Sequence, residues 1–184
     1  MLILRPAFKS YGLNFIFDPD GIYGYKQITV GNDVFIGPGA QFNVTLRSSI
    51  NIGNKVMFGP HVSILTGKHD TSTVGRFMLD LGDFAKPGDD APVVIEDDVW
   101  VASHAIILRG VTLGRGCVIG AGAIVTHDIP PYALAVGVPA QVKSFRFDKQ
   151  QILEHESKLY PAHLRLSRTY IDAMFEKHQI SKAY

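Results

Sequence analysis

The sequence predicts an all-β solenoid, a triangular prism of parallel coils with an extruded loop and a C-terminal helical cap. Three observations predict it. One aliphatic residue recurs every six positions through Ile95, Val101, Ile107, Leu113, Ile119 and Val125, and Val99, Ala105, Val111, Cys117 and Ala123 form a second series at the same period. A polar stretch containing Gly and Pro, residues 67–92, stops the period, which then resumes cleanly. Beyond Phe147 the apolar residues recur at mixed spacings of three and four. A period of six belongs neither to a helix, at roughly 3.6, nor to a flat strand, at about 2. It is the mark of stacked repeats that bury an apolar face only against their neighbours.

Residues 1–27 show no clear period and are dense in aromatics: Phe8, Tyr11, Phe15, Phe17, Tyr23 and Tyr25. Phe15 and Phe17 alternate with polar or outward positions as in a short strand, and Asp18-Pro19-Asp20-Gly21 is turn chemistry. This segment is expected to cap an otherwise open hydrophobic end. Residues 28–144 are expected to form the β-helix proper. Its hexad starts at Val30, Ile36 and Phe42, and is read onward through Leu46, Ile52, Phe58 and Ile64, which implies a shortened turn between Phe42 and Leu46.

Short extended segments alternating with tight Gly, Asn and Asp turns give three hexads per coil, and coils pair in parallel at ~4.8 Å. Each buried Leu, Ile or Val contributes roughly 1.5–3 kcal/mol against the entropy of ordering its segment. Only an unbroken, capped stack therefore holds together. A long polar excursion from such a stack is usually functional. After Val125, Pro130 and Pro131 are expected to end strand pairing. Residues 145–184 read as two helices broken at Pro161, closing the prism or packing on another chain.

The bulk composition excludes several classes. A chain of 184 residues, 46% hydrophobic and 19% charged, is ordinary for a globular protein. A formal charge of +1 carries no basic footprint for nucleic acid. No apolar run approaches the ~18 residues of a membrane span, and Leu2 to Leu4 is too short for a signal core. The single cysteine, Cys117, rules out an internal disulfide and fits a reducing compartment. A cytoplasmic location is expected, with no membrane insertion and no nucleic-acid partner.

Residues 99–142, VWVASHAIILRGVTLGRGCVIGAGAIVTHDIPPYALAVGVPAQV, together with ILTGKHD at 64–70, resemble the hexapeptide-repeat acyltransferases. The likeness is greatest to the acetyltransferases of galactosides, xenobiotics and surface polysaccharides. The resemblance implies a left-handed parallel β-helix, against the usual right-handed crossover rule. It implies a homotrimer with sites between subunits, acetyl-CoA as co-substrate, and no metal. On it, His69 is the general base, an imidazole with an ordinary pKa near about 6.5 being suited to proton removal at neutral pH. The backbone N–H of Ser103 faces the thioester oxygen. The resemblance directs coenzyme A to Ser103, Ala121, Thr126 and His127, and the acceptor to Gln41, Asn43 and Trp100.

Differences from the family pattern accompany the likeness. His127 stands where Lys is usual, and Gln141 and Ser144 where Lys or Arg is usual, so Lys143 and Arg146 are the basic residues offered to the nucleotide phosphates. Asp70 could orient His69, and His104 is either an outward polar position or an acceptor contact. Cys117 falls on the buried series, which argues against a thiol nucleophile.

Two other classes fit these residues less well. A γ-type carbonic anhydrase needs a second histidine where Arg109 stands, and arginine does not ligate zinc. A non-catalytic scaffold would not need His69 at the loop junction. The absence of paired tryptophans after Arg146-Phe147 favours a sugar hydroxyl over an antibiotic as acceptor. An acyl carrier protein as donor would call for a basic face, and no cluster of Lys or Arg is evident.

Overall fold

The computed structural model describes residues 4–82, 86 and 88–178. The chain winds as a left-handed parallel β-helix. Its first coil holds β1 (Ser10–Tyr11), β2 (Ile16–Phe17) and β3 (Ile22–Tyr23), and its second β4 (Ile28–Val30), β5 (Phe35–Ile36) and β6 (Gln41–Asn43). The third holds β7 (Ile50–Ile52), β8 (Met57–Phe58) and β9 (Ser63–Leu65). After the loop come β10 (Val93–Ile95), β11 (Trp100–Val101) and β12 (Ile106–Ile107), then β13 (Thr112–Leu113), β14 (Val118–Ile119) and β15 (Ile124–Val125). The chain ends its strands with β16 (Ala133–Val136) and β17 (Gln141–Phe145).

Every third strand stacks, so three sheets form the walls. Sheet 1 runs β1-β4-β7-β10-β13, sheet 2 β2-β5-β8-β11-β14-β16-β17, and sheet 3 β3-β6-β9-β12-β15. All pairs are parallel except β16 with β17. The register keeps the period exact in space: Ile36, Phe58, Val101 and Ile119 lie one above another, all buried. The intervening turns place their third residue at positive φ, at Asp33, Lys55 and Asp98 in one corner and at Gly39, His61, His104 and Gly122 in the next. The fourth residue, such as Val56, Val99 or Cys117, turns inward as the second buried series.

The structure departs from the expected outline in three places. Leu46 is 89% exposed and takes no part in the inner column. The column passes from Phe42 to Ile52, so that turn is lengthened and not shortened; the apolar Leu46 mimicked the period. Parallel pairing already begins at Ser10, so the aromatic segment both builds the first coil and closes its end. Phe8 lies across that end, its ring 5.0 Å from Phe15 and 4.9 Å from Tyr25 in edge contacts.

The third departure is at the prolines. Pro130 and Pro131 sit in a corner turn, where no ladder N–H is required, and pack over the bare backbone of Gly114. Ile129 bridges Leu113 just before them, and pairing continues past them where β16 stacks on β14.

At the other end α1 (Lys149–Leu159) and α2 (Arg168–His178) bring Ile152, Ile171 and Phe175 into the core. Asp148 and Gln151 form a reciprocal capping box at the start of α1. Glu156, 1% exposed, fixes the helices to the prism by accepting from Tyr132 Oη and Leu166 N, with Arg115 as counter-ion. Burial, then the bond to Glu156, pushes the Tyr132 phenol well above its ordinary range.

Candidate active site

Most of the expected site residues lie at the corners of the prism. In the corner between sheets 2 and 3, the turns of successive coils carry Pro19, Pro38, Pro60, Ser103 and Ala121 at their second position. The backbone N–H at this position points out of the ladder. Proline supplies none in the lower coils. In the upper two, Ser103 and Ala121 each present one, and among the described residues neither has an acceptor. The neighbouring donors are used: His104 N bonds Pro60 O at 2.9 Å and Gly122 N bonds Ser103 O at 2.9 Å. Beneath Ser103 lies Gly59, where a Cβ would stand 2.7 Å from Ser103 N; above His104, a Cβ at Gly122 would meet nothing within 4 Å.

Sequence reasoning passed over His61. Its ring stacks on that of His104 at 4.9 Å and 19°, both exposed, one residue along the turns from Pro60 and Ser103. Both rest on left-handed backbone, φ 58° and 60°. The third-residue position of the turn was the available signal.

His69 sits at the next corner, where the chain leaves β9 and the loop begins. Its imidazole is exposed and has no hydrogen-bond partner among the described residues. It borders a cleft of about 780 Å³ whose walls include Ile22, Phe42, Asn43, Leu65 and Lys68. Asn43 therefore shares the cleft with His69. Gln41 is on the same strand and exposed but does not line it. Asp70 does not bond His69; it accepts from Ser72 N, Ser72 Oγ and Thr73 Oγ1 and pairs with Lys86. The Lys86 ammonium and these donors hold the Asp70 carboxyl well below the usual carboxylate range.

The remaining expected residues divide between walls. Trp100 lies on the outer face of sheet 2, 48% exposed, between Met57 and Val118. Thr126 and His127 follow β15 at the corner that also bears His69, and Thr126 Oγ1 lies 2.8 Å from His127 Nδ1. Lys143 is exposed on β17. Arg146 is not gathered with Thr126 and His127. Its guanidinium bonds Asp98 Oδ2 at 2.9 Å and Gly116 O at 2.8 Å, at the corner between sheets 1 and 2. Within one chain Ser103 precedes sheet 3 and His69 leaves it, so His69 and the outward donor stand at opposite edges of one wall. Cys117 is fully buried, and burial pushes its thiol well above the ordinary range, which removes it as a nucleophile.

Comparison with known proteins follows the same outline. The family model for bacterial transferase hexapeptides (six repeats) matches residues 92–127. The galactoside O-acetyltransferase of Lactococcus lactis subsp. lactis (strain IL1403) is 37% identical over 149 residues, covering 78% of this chain and 66% of that protein. The hexapeptide-repeat acetyltransferase of Vibrio cholerae O1 biovar eltor, solved with acetyl coenzyme A, gives a TM-score of 0.69 at 28% identity, covering 80% of this chain and 76% of that one. The maltose O-acetyltransferase of Clostridium difficile 630 gives 0.63 at 33% identity, covering 78% of this chain and 72% of that one. The chain spans about half to two thirds of the length of the curated relatives it matches.

Proposed function

The chain belongs to the hexapeptide-repeat transferase family, and from that premise we propose that it is an acetyl-CoA-dependent O-acetyltransferase. Its acceptor is a hydroxyl of a sugar or polysaccharide precursor, and it works as a cytoplasmic homotrimer with sites between subunits. The observation that carries the reading is the placement of His69 and Ser103 at opposite edges of sheet 3. A threefold arrangement with this wall towards the axis sets the His69 edge of one chain against the Ser103 edge of the next. One chain alone leaves both halves idle.

The residues present fit the donor. Two unused N–H groups one coil apart, at Ser103 and Ala121, and the open space at Gly122 suit an extended amide-containing arm. Thr126, His127 and Lys143 are the polar groups available further along it. Acetyl-CoA supplies an activated acetyl thioester. His69 then takes the proton of the acceptor hydroxyl as its oxygen attacks the acetyl carbonyl. The Ser103 N–H donates to the negative charge developing on the carbonyl oxygen, where a fixed dipole contributes most. The imidazolium returns its proton to the departing thiolate, so His69 ends neutral. Asn43 and the apolar walls of the cleft, Ile22 and Leu65, orient the acceptor.

The test is a thiol-release assay over acetyl-CoA with a galactoside, maltose, nucleotide sugars, oligosaccharides and antibiotics as acceptors. A sugar is expected to be the best of them. His69→Ala is expected to lower kcat by about 10²-fold or more, while the protein sediments at three times the chain mass. Near-wild-type turnover by His69→Ala would remove the base assignment, and a monomer active at micromolar concentration would remove the shared site.

A further inference from the structure

The extruded loop is closed at its base by two crossed ion pairs. The outgoing limb carries Lys68 and Asp70, and the returning limb carries Lys86 and Asp89. Lys68 Nζ lies 3.1 Å from Asp89 Oδ1, and Lys86 Nζ lies 2.8 Å from Asp70 Oδ2. Each limb thus gives one cation and one anion to the other.

Both carboxylates are buried, Asp70 at 6% and Asp89 at 5% exposure, and both are saturated. Asp89 Oδ2 accepts from Lys86 N at 2.7 Å; Lys86 Nζ also donates to Ser72 Oγ at 2.9 Å and Thr73 Oγ1 at 2.8 Å. The backbone bond of Lys86, then Lys68, holds the Asp89 carboxyl below its ordinary range. The junction continues downward through Arg47 and Asp90 at 3.1 Å and through Ala91 N to Thr66 O at 2.9 Å.

Exposed ion pairs contribute little, but a buried carboxylate stripped of its partner is costly. These pairs therefore constrain the loop base where a solvated pair would not. His69 is the single residue between Lys68 and Asp70, so both of its chain neighbours are tied across to the returning limb. Among the described residues its own ring has no partner, which leaves backbone placement as the means of aiming it.

We infer that Lys68, Asp70, Lys86 and Asp89 form a positioning clasp that aims His69 at the acceptor hydroxyl. Lys68 and Asp70 also border the cleft beside His69, but the clasp acts on the rate of proton transfer through the place it gives the imidazole. It rests on the reading of His69 as general base. A misplacement of about 1 Å costs on the order of 100-fold in rate, so small shifts of the loop base are enough.

The test is a double-mutant cycle with acetyl-CoA and the best acceptor of the panel, or water where no acceptor exceeds it. Asp70→Asn and Lys86→Met are each expected to lower kcat by about 10- to 100-fold, with KM for acetyl-CoA within about twofold of wild type. In the His69→Ala background the same substitutions are expected to change the remaining rate by less than about twofold, because nothing is left to aim. Lys86→Arg keeps the charge and is expected to recover most of the loss, which separates a lost ion pair from a collapsed loop.

Equal losses in both backgrounds, or Lys86→Arg as damaging as Lys86→Met, would show a merely structural role and overturn the clasp while leaving the base in place. Wild-type kcat in Asp70→Asn would do the same. A fully active His69→Ala protein would overturn the base assignment, and the clasp with it.

Discussion

At the corner between sheets 1 and 2, the outward N–H of the second residue meets a side chain in four of the five turns, Asp97 N being the exception among the described residues. Leu13 N bonds Asn32 Oδ1 at 2.8 Å, Asn32 N bonds Asn54 Oδ1 at 2.9 Å, Asn54 N bonds Asp97 Oδ1 at 2.7 Å, and Arg115 N bonds Glu96 Oε2 at 2.8 Å. At the corner between sheets 2 and 3, the same backbone position holds Pro38, Pro60, Ser103 and Ala121, and the donors that exist are unused among the described residues. The turns are otherwise alike, with a small residue first except at Glu96, a left-handed residue third and a buried residue fourth. Apart from Asp97, the first corner is satisfied, whereas the second is left wanting an acceptor. Stability asks for the first arrangement and a binding edge for the second, since an unused donor is worth most where a ligand supplies the missing partner.

The largest effect is expected from making the second corner uniform. Pro60 already occupies this position one coil below Ser103, and Gly37 lies beneath Pro60 as Gly59 lies beneath Ser103. A Cβ at Gly37 would stand 3.0 Å from Pro60 N, and one at Gly59 would stand 2.7 Å from Ser103 N. Ser103→Pro should therefore fold, yet it removes the one N–H in question. A fall in kcat of about 10²–10³-fold is expected, with the circular dichroism spectrum unchanged. Ser103→Ala keeps the N–H and is expected to stay within about threefold of wild type, because the side chain is not the donor. Matching losses in the two variants would break the comparison.

The same alignment explains what was legible beforehand. One aliphatic in six set out the inner wall, and Ile95 to Val125 lie where the period puts them, because each coil repeats the same burial. The period misled where an apolar residue occurred on the surface, as at Leu46, and where aromatics replaced aliphatics in the first coil. The column Pro38, Pro60, Ser103, Ala121 is visible once hexads are aligned by their turns, and only that alignment separates a donor from a proline. The ion pairs Lys68–Asp89 and Lys86–Asp70 link residues with no fixed spacing, so no pattern announces them. His69 entered through resemblance alone, since nothing in the spacing of a polar loop selects one histidine.

A smaller effect is expected at the satisfied corner. Asn54 links three coils: its Oδ1 accepts from Asn32 N, and its N and Nδ2 both donate to Asp97 Oδ1. Asn54→Ala leaves the Asn32 donor without its acceptor and is expected to cost about 0.5–1.5 kcal/mol, read as a lowered thermal midpoint. Its kcat should not move, because this corner holds neither His69 nor Ser103. A change in kcat without one in stability would reverse the roles given to the two corners.

The smallest effect comes from the reverse experiment at the second corner. Pro60→Ala adds an N–H directly below Ser103, at an exposed position where water can accept from it. Releasing a proline from a compatible turn is expected to cost about 0.4–1 kcal/mol through the unfolded chain, and the carbonyl that accepts from His104 N is retained. The new donor lies a full coil, ~4.8 Å, from the Ser103 position, beyond hydrogen-bond reach of an oxygen held there. Turnover should therefore stay at the wild-type level. If Pro60→Ala raised kcat, the reacting oxygen would have to sit between the two coils, and the edge that matters would extend one turn lower than Ser103.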